Sequence, residues 1–242
     1  MAVHTALFDL DDTLFDHRHA RRAALQATRS ELSELSRYSL EQLDRSYERL
    51  LRDTHIRVLT RQLAQDKGRF LRMSAFLSEF GIDAPAREIR RLIELRQEVY
   101  RRNRRAVPGA AALLRRLRGS GVVIGVVTNN LRSEQEEKLR VTGLETLVDH
   151  LVCSEQAGTL KPDPMIFHIA LTATGGRPAA AVMVGDRWED DVIGAARAGI
   201  RPVWFHRDSF PKPSRPPAGE LRSFRPVARA ANVVLGRGRR SG

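Results

Sequence analysis

The sequence predicts an α/β protein built on a parallel sheet of at least five strands, with a long helical region after the first strand. Short apolar runs alternate with helical stretches, which favours parallel strands with helices on both faces of the sheet. The run at residues 122–127 is almost continuously β-branched, as is typical of a strand buried on both faces. The predicted strands are residues 4–10, 122–127, 151–153, 181–184 and 202–205.

The helical region indicates a second domain. Leucines and aromatic residues recur at spacings of three and four over most of residues 16–107. We therefore expect residues 1–15 and 108–205 to form the α/β core. Residues 206–242 are rich in proline and arginine, and we expect them to pack partly on the core and to end in disorder. A short strand is expected within this segment, at residues 230–235.

The composition is that of a folded protein, with 42% hydrophobic residues among 242. The single cysteine, Cys153, allows no internal disulfide, which fits a reducing compartment. The sequence contains no signal-peptide pattern and no apolar run of the roughly 20 residues that a membrane helix needs. We expect a cytoplasmic protein without a membrane partner, either a monomer or a homodimer.

The net charge of +12 raises the question of nucleic-acid binding. The excess of arginine lies in residues 16–105 and in residues 206–242. In the first stretch Arg and Glu are interspersed, as on a solvated helix surface, which argues against a nucleic-acid site. Binding of a polyanion and attraction of anionic substrates stay as alternatives.

Two carboxylates stand where the first predicted strand ends. Asp9 and Asp11 can point the same way, because side chains alternate along an extended chain. Ligands of open parallel sheets bind beyond the carboxyl ends of the strands. Two close carboxylates repel each other unless a cation lies between them. The pair therefore indicates either a cation site or a solvated acidic turn.

Three further strands lead into polar groups suited to the same site. Thr128 ends the second strand, Lys161 follows the third and Asp186 follows the fourth. The carboxyl ends of parallel strands meet at one edge of a sheet, so we expect these side chains to converge with Asp9 and Asp11.

These residues lie in segments that resemble the four motifs of the haloacid dehalogenase superfamily, in the family's order and spacing. The segments are Asp9–Thr13, Val126–Asn129, Lys161–Phe167 and Gly185–Asp191. The resemblance covers residues 3–205. It implies a Rossmann-like core, with residues 16–107 forming a helical cap between the first and second motifs.

The resemblance also implies roles for the acidic residues. Asp9 would attack phosphorus and become an aspartyl-phosphate, while Asp11 would protonate the leaving oxygen and then take a proton from water. Mg²⁺ would be bound by the Asp9 carboxylate, the backbone carbonyl of Asp11 and Asp186. A further acidic residue supports the site in the family; Asp191 has the usual spacing, and Asp190 is the alternative.

The same resemblance implies a phosphate-binding set. Thr128 and the backbone N–H groups of Leu10 and Asn129 would hold the phosphoryl oxygens. Lys161 would balance negative charge on the nucleophile and on the transferred group.

We therefore expect a Mg²⁺-dependent hydrolase acting on the phosphomonoester of a small phosphorylated metabolite. Asp11 favours this activity over 2-haloacid dehalogenation, because the dehalogenating relatives work without Mg²⁺ and lack an acid two residues after the nucleophile. A phosphomutase shares the motifs and stays an alternative, as does a non-catalytic polyanion-binding protein. Candidates for substrate choice stand near the end of the helical region: Arg102, Asn103 and Arg105.

Overall fold

The computed structural model describes residues 2–207 and 218–237. The chain forms two compact units, of which one contains the chain up to Asp16 and from Arg105 onward, and the other is His17–Arg104. We call them the sheet unit and the helical unit. The expectations of a proline-rich loop and a disordered end concern residues 208–217 and 238–242, which lie outside the described residues.

Six parallel strands form the sheet within the described residues. They are β1 (Thr5–Phe8), β2 (Val123–Thr128), β3 (His150–Cys153), β4 (Ala181–Gly185), β5 (Arg201–Phe205) and β6 (Glu220–Leu221). Their order is β3-β2-β1-β4-β5-β6, so β1 pairs with β2 on one side and with β4 on the other. The predicted α/β fold is confirmed. The short β6, which pairs with β5, was not predicted from the sequence.

The helical unit contains four α-helices and a short 3₁₀ helix. The α-helices are α1 (His17–Glu31), α2 (Leu40–Leu59), α3 (Gln65–Glu79) and α4 (Ala86–Arg102). α1 packs on α4 and α2 packs on α3. Their apolar faces share one core that includes Leu25, Leu43, Phe76 and Leu92. The apolar spacing of the sequence is thus the spacing of these buried contacts.

Local signals begin and end these helices. Ser39 caps α2, because its hydroxyl accepts from the Gln42 backbone N–H at 3.2 Å while the Gln42 side chain accepts from the Ser39 N–H at 2.9 Å. Gly81 follows the end of α3 with a φ of +74°, a conformation that glycine adopts without strain.

The helices of the sheet unit lie between and after its strands. They are α5 (Ala110–Arg118), α6 (Arg132–Val141), α7 (Ser154–Ala157), α8 (Pro164–Ala173), α9 (Gly194–Arg197) and α10 (Val227–Val234). A π-helical segment, Trp188–Ile193, leads into α9. Among residues 2–207 and 218–237, no helix combines the length and apolar character required to cross a membrane.

The prediction of a strand at residues 230–235 is wrong, because the helix α10 occupies this stretch. Its buried residues Ala230, Ala231 and Val234 lie one, three and four positions apart, which is the spacing of one helix face. α10 packs on α5, which in turn packs on β2.

The sheet is buried at its centre. Ala6, Leu7 and Phe8 of β1 are all fully buried, although neighbouring side chains of a strand point to opposite faces. Leu7 packs against Ile166 and Phe167 of α8 in one apolar cluster. This packing holds the strand ends, and the residues that follow them, in fixed positions.

Candidate active site

The predicted site residues meet at the carboxyl edge of the sheet. Asp9 directly follows β1, Thr128 ends β2 and Asp186 directly follows β4. Phe8 of β1 lies beside Val184 of β4, and the Asp9 backbone N–H donates to the Val184 carbonyl at 2.9 Å. The ladder between the two central strands therefore extends to Asp9 and fixes its backbone.

Lys161 joins two of the carboxylates. Its ammonium group lies 2.7 Å from Asp9 Oδ1 and 2.6 Å from Asp191 Oδ1, and the residue is only 4% exposed. Burial alone would lower the pKa of Lys161, but the two carboxylates raise it above its usual value. The lysine therefore stays charged and provides a fixed positive charge beside Asp9.

Asp9, Asp186 and Asp191 form an acidic cluster, in which one carboxylate oxygen of each lies within 4.8 Å of the others. Burial raises the pKa of Asp9 to about 7, an effect that Lys161 opposes and that Asp191 and Asp11 reinforce. Burial also raises the pKa of Asp186 well above its usual value, and the negative charges of Asp9 and Asp191 add to this shift. Burial and the neighbouring negative charges therefore both oppose ionisation of Asp9 and Asp186, and the charge of Lys161 offsets this only in part at Asp9.

The donor set fits a Mg²⁺ ion. Buried carboxylate oxygens are ligands that this hard cation prefers. Asp186 Oδ1 is buried and has no hydrogen-bond partner among the described residues, which is unfavourable unless a ligand satisfies it. A divalent cation would supply this partner and would offset both the burial and the repulsion that raise the pKa values of Asp9 and Asp186.

The two candidate supporting acids have different partners. Asp191 is 1% exposed and contacts Lys161 through Oδ1, while its Oδ2 accepts from the Arg187 backbone N–H at 3.0 Å. Asp190 instead pairs with the Arg187 side chain at 2.9 Å. Of the two, the structure places Asp191 against the lysine and the acidic cluster.

The residues after β2 contact other parts of the site. The Asn129 side chain donates to the Lys161 carbonyl at 2.9 Å and accepts from the Lys161 backbone N–H at 2.8 Å. Asn129 therefore holds the Lys161 backbone with its amide, in addition to the predicted use of its own backbone N–H. Thr128 is 2% exposed and accepts from the Gln135 side chain at 2.8 Å.

Asp11 has partners that the sequence reasoning missed. Lys138 of α6 lies 2.7 and 2.8 Å from its two oxygens, and Gln135 donates to Asp11 Oδ2 at 3.0 Å. Asn130 reaches the same oxygen at 3.3 Å. The available signal was the spacing of three between Gln135 and Lys138 on a helix that follows Thr128, which places both on one helix face.

Arg207 was also not predicted from the sequence. Its guanidinium lies 2.9 Å from Asp12 and 2.6 Å from Asp16, and Arg105 contacts the other oxygen of Asp16 at 2.8 Å. Burial alone would raise the pKa of Asp16, but the two arginines hold it below its usual value. Arg105, which was expected to contribute to substrate choice, thus forms an ion pair with Asp16. Asp12 has a φ of +64°, so Arg207 stabilises a tight turn directly after the site.

The fold and the site define a hydrolase with a Rossmann-like core. The chain belongs to the haloacid dehalogenase-like hydrolases, since the model of that family matches residues 3–199.

Two similar relatives are named glyceraldehyde 3-phosphate phosphatase. The one from Methanothermobacter thermautotrophicus is 30% identical over 217 residues, which cover 83% of this chain and 84% of the relative. The one from Pyrococcus furiosus is 40% identical over 101 residues, which cover 42% of each chain. The match to the second relative therefore spans less than half of its length.

Solved structures share the fold over nearly the whole chain. A HAD-hydrolase from Bacillus subtilis bound to magnesium superposes with a TM-score of 0.76 at 22% identity, covering 96% of this chain and 100% of that one. A 2-haloacid dehalogenase from Pseudomonas syringae superposes with a TM-score of 0.60 at 28% identity, covering 97% and 99%. One architecture thus hosts more than one hydrolytic activity, so the residues of the site must indicate which one.

Proposed function

We propose that this protein is a Mg²⁺-dependent phosphatase that hydrolyses the phosphomonoester of a small phosphorylated metabolite through an aspartyl-phosphate on Asp9. The relatives named glyceraldehyde 3-phosphate phosphatase support this substrate class. The observation that carries the proposal is the arrangement around Asp9: Lys161 lies 2.7 Å from its carboxylate, Asp186 shares its acidic cluster, and Asp11 follows two residues later.

In the first step, a carboxylate oxygen of Asp9 attacks phosphorus and the bond from phosphorus to the ester oxygen breaks. Lys161 favours the ionised form of Asp9, which is the form that attacks. Asp11 gives a proton to the departing oxygen, so an alcohol leaves rather than an alkoxide. The product is a phosphoryl group on Asp9.

In the second step, water attacks the same phosphorus and Asp11 takes the proton that the water loses. Inorganic phosphate leaves and Asp9 is restored. The Thr128 hydroxyl and the backbone N–H groups of Leu10 and Asn129 donate to the phosphoryl oxygens, which carry the negative charge of the transition state. Mg²⁺, held by Asp9, Asp186 and the Asp11 carbonyl, would supply electrostatic stabilisation of that charge.

Asp11 argues against dehalogenation, because release of a halide requires no proton on the leaving group. A phosphomutase would return the phosphoryl group to a substrate hydroxyl instead of to water. We further propose that the helical unit, His17–Arg104, is the cap domain and determines the choice of substrate. A cytoplasmic location fits the single cysteine, which is buried at Cys153.

Turnover of p-nitrophenyl phosphate with and without Mg²⁺ tests this function. We expect Mg²⁺-dependent release of phosphate, and a loss of at least about 10³-fold in Asp9→Asn, because the amide cannot act as the nucleophile. Asp83→Asn serves as a matched control, since Asp83 is exposed in the helical unit, and it should retain wild-type turnover. Wild-type turnover in Asp9→Asn would refute the proposal, and formation of a phosphate isomer without phosphate release would favour the mutase.

A further inference from the structure

Two buried side chains of α6, Gln135 and Lys138, and the side chain of Asn130 just before this helix contact the carboxylate of Asp11. Lys138 contacts both carboxylate oxygens, at 2.7 and 2.8 Å, while Gln135 and Asn130 donate to Oδ2 at 3.0 and 3.3 Å. Three side chains therefore converge on Oδ2. Contacts to both oxygens fix the rotation of the carboxylate as well as its position.

Gln135 and Lys138 are buried, whereas Asp11 is partly exposed. The side chain of Lys138 is 5% exposed and Gln135 is fully buried, but the Asp11 side chain is 26% exposed. The Lys138 ammonium also lies 5.3 Å from the centre of the Phe15 ring, whose face attracts a cation. Buried residues thus fix the position of Asp11, while part of its side chain stays exposed to solvent. A group that exchanges protons with substrate and water must be accessible in this way.

Gln135 also connects Asp11 to Thr128. One amide nitrogen lies 2.8 Å from Thr128 Oγ1 and 3.0 Å from Asp11 Oδ2. The carboxylate oxygen can only accept, so the nitrogen end of the amide must face this pair. Thr128 Oγ1 therefore accepts from Gln135, which leaves the hydrogen of its hydroxyl to be donated elsewhere.

We propose that Lys138 and Gln135 are positioning residues, which hold Asp11 for proton transfer and orient the Thr128 hydroxyl so that it donates to a phosphoryl oxygen. This inference rests on the proposed function. When the leaving oxygen takes the proton, Asp11 becomes a carboxylate, and Lys138 stabilises that carboxylate without exchanging a proton itself. In the second step the carboxylate takes one proton from water, and the original state returns.

The leaving group of the substrate separates this role from a structural one. The oxygen of p-nitrophenol departs readily without a proton, whereas that of phenol departs slowly unless an acid protonates it. The value of kcat/KM for phenyl phosphate should therefore depend on the placement of Asp11 far more than the value for p-nitrophenyl phosphate. Because both are measured on one sample, their ratio does not depend on the fraction of protein that is folded.

The experiment compares this ratio in wild type, Lys138→Met, Lys138→Arg and Asp11→Asn. In Lys138→Met, the ratio of kcat/KM for phenyl phosphate to kcat/KM for p-nitrophenyl phosphate should fall at least about tenfold. The ratio should also fall in Asp11→Asn. Lys138→Arg, which keeps the charge, should recover most of this difference. Arg140→Met removes one charge from an exposed position of the same helix, and it should leave the ratio unchanged.

Equal losses with the two substrates in Lys138→Met, or no loss, would overturn the inference and leave Lys138 as a structural ion pair. If Lys138→Met yields no folded protein, Gln135→Leu provides the same comparison with the same two outcomes. A wild-type enzyme that hydrolyses neither ester would instead contradict the proposed function.

Discussion

Gly185 and Asp191 lie so close together that a Cβ at position 185 would be 2.3 Å from the carboxyl carbon of Asp191. Gly185 ends β4 immediately before Asp186. The missing side chain therefore provides the space in which Asp191 reaches Lys161, and a single methyl group at this position would displace the carboxylate.

Gly185→Ala should lower kcat/KM by at least about 10²-fold, because a shift of Asp191 also moves the Lys161 ammonium away from Asp9. The measurement is hydrolysis of p-nitrophenyl phosphate with saturating Mg²⁺. Gly119→Ala is the control, since Gly119 lies at the end of α5 with a φ of −63° and should accept alanine with little effect. Wild-type activity in Gly185→Ala would show that the position of Asp191 does not matter.

Relative to Asp9→Asn, the metal-free wild-type protein should become less stable as the pH rises from about 4 to about 7. Asp9 has a usual pKa of 3.8 and a pKa of about 7 in the fold, so the folded state keeps a proton that the unfolded state has released. The free energy of unfolding falls with pH wherever the folded state binds more protons. Thermal unfolding in a metal chelator across this range measures the slope.

Mg²⁺ should reverse this trend, because it competes with the proton that Asp9 holds. We expect the rise in melting temperature on adding Mg²⁺ to be larger at about pH 8 than at about pH 5.5. Asp186→Asn should abolish most of the rise, while the exposed control Asp83→Asn should keep it. A rise that is independent of pH would indicate that the ion binds elsewhere.

Arg207→Ala should destabilise the protein by about 2 kcal/mol, since it removes charged hydrogen bonds from Asp12 and Asp16. The low pKa of Asp16 contributes stability above its usual value of 3.8, and this contribution is lost as the pH falls. The difference from wild type should therefore shrink in acid. Denaturant unfolding at two pH values checks both statements.

Arg222→Ala is the control for Arg207→Ala. Arg222 forms an exposed pair with Glu220 at 3.3 Å, and such pairs contribute less than about 1 kcal/mol. If Arg207→Ala loses no more stability than Arg222→Ala, the contacts of Arg207 with Asp12 and Asp16 have no structural role.

Tyr47 of the helical unit should ionise near pH 8. Burial raises the pKa of its phenol, but Arg96 and Arg72 outweigh burial and lower the pKa to about 8. Between pH 8 and the usual value of 10 the folded state has lost a proton that the unfolded state keeps, so stability relative to Tyr47→Phe should increase with pH.

Phenolate absorbance measures this titration directly. Tyr47→Phe should remove the transition near pH 8, and Tyr38→Phe should leave it in place. If the transition persists without Tyr47, the two arginines do not stabilise its phenolate.

The strand ends were the most predictable part of the molecule. Asp9, Thr128 and Asp186 each stand at the end of a buried apolar run, and parallel pairing is sufficient to bring such positions to one edge. The sequence could not decide whether Asp190 or Asp191 supports the site. Adjacent residues of a helical segment differ in the direction of their side chains, which the sequence does not specify. The π-helical backbone of Trp188–Ile193 sets that direction.

The pairing of Lys138 with Asp11 and of Arg207 with Asp16 was not predictable, because these partners lie 127 and 191 positions apart in the chain. Lys138 and Arg207 resemble ordinary surface residues in a chain with 41 lysines and arginines. The strand expected at residues 230–235 failed for another reason, since a short apolar run fits a helix or a strand equally well.

The most direct test of the central claim is to locate the covalent phosphoryl group. Acid quenching during turnover of p-nitrophenyl phosphate, followed by borohydride reduction, converts a phosphorylated aspartate to homoserine, which peptide mass spectrometry can locate. We expect homoserine at position 9 and none at position 11. Phosphate release with an unmodified Asp9, or with homoserine at another position, would contradict the proposed mechanism.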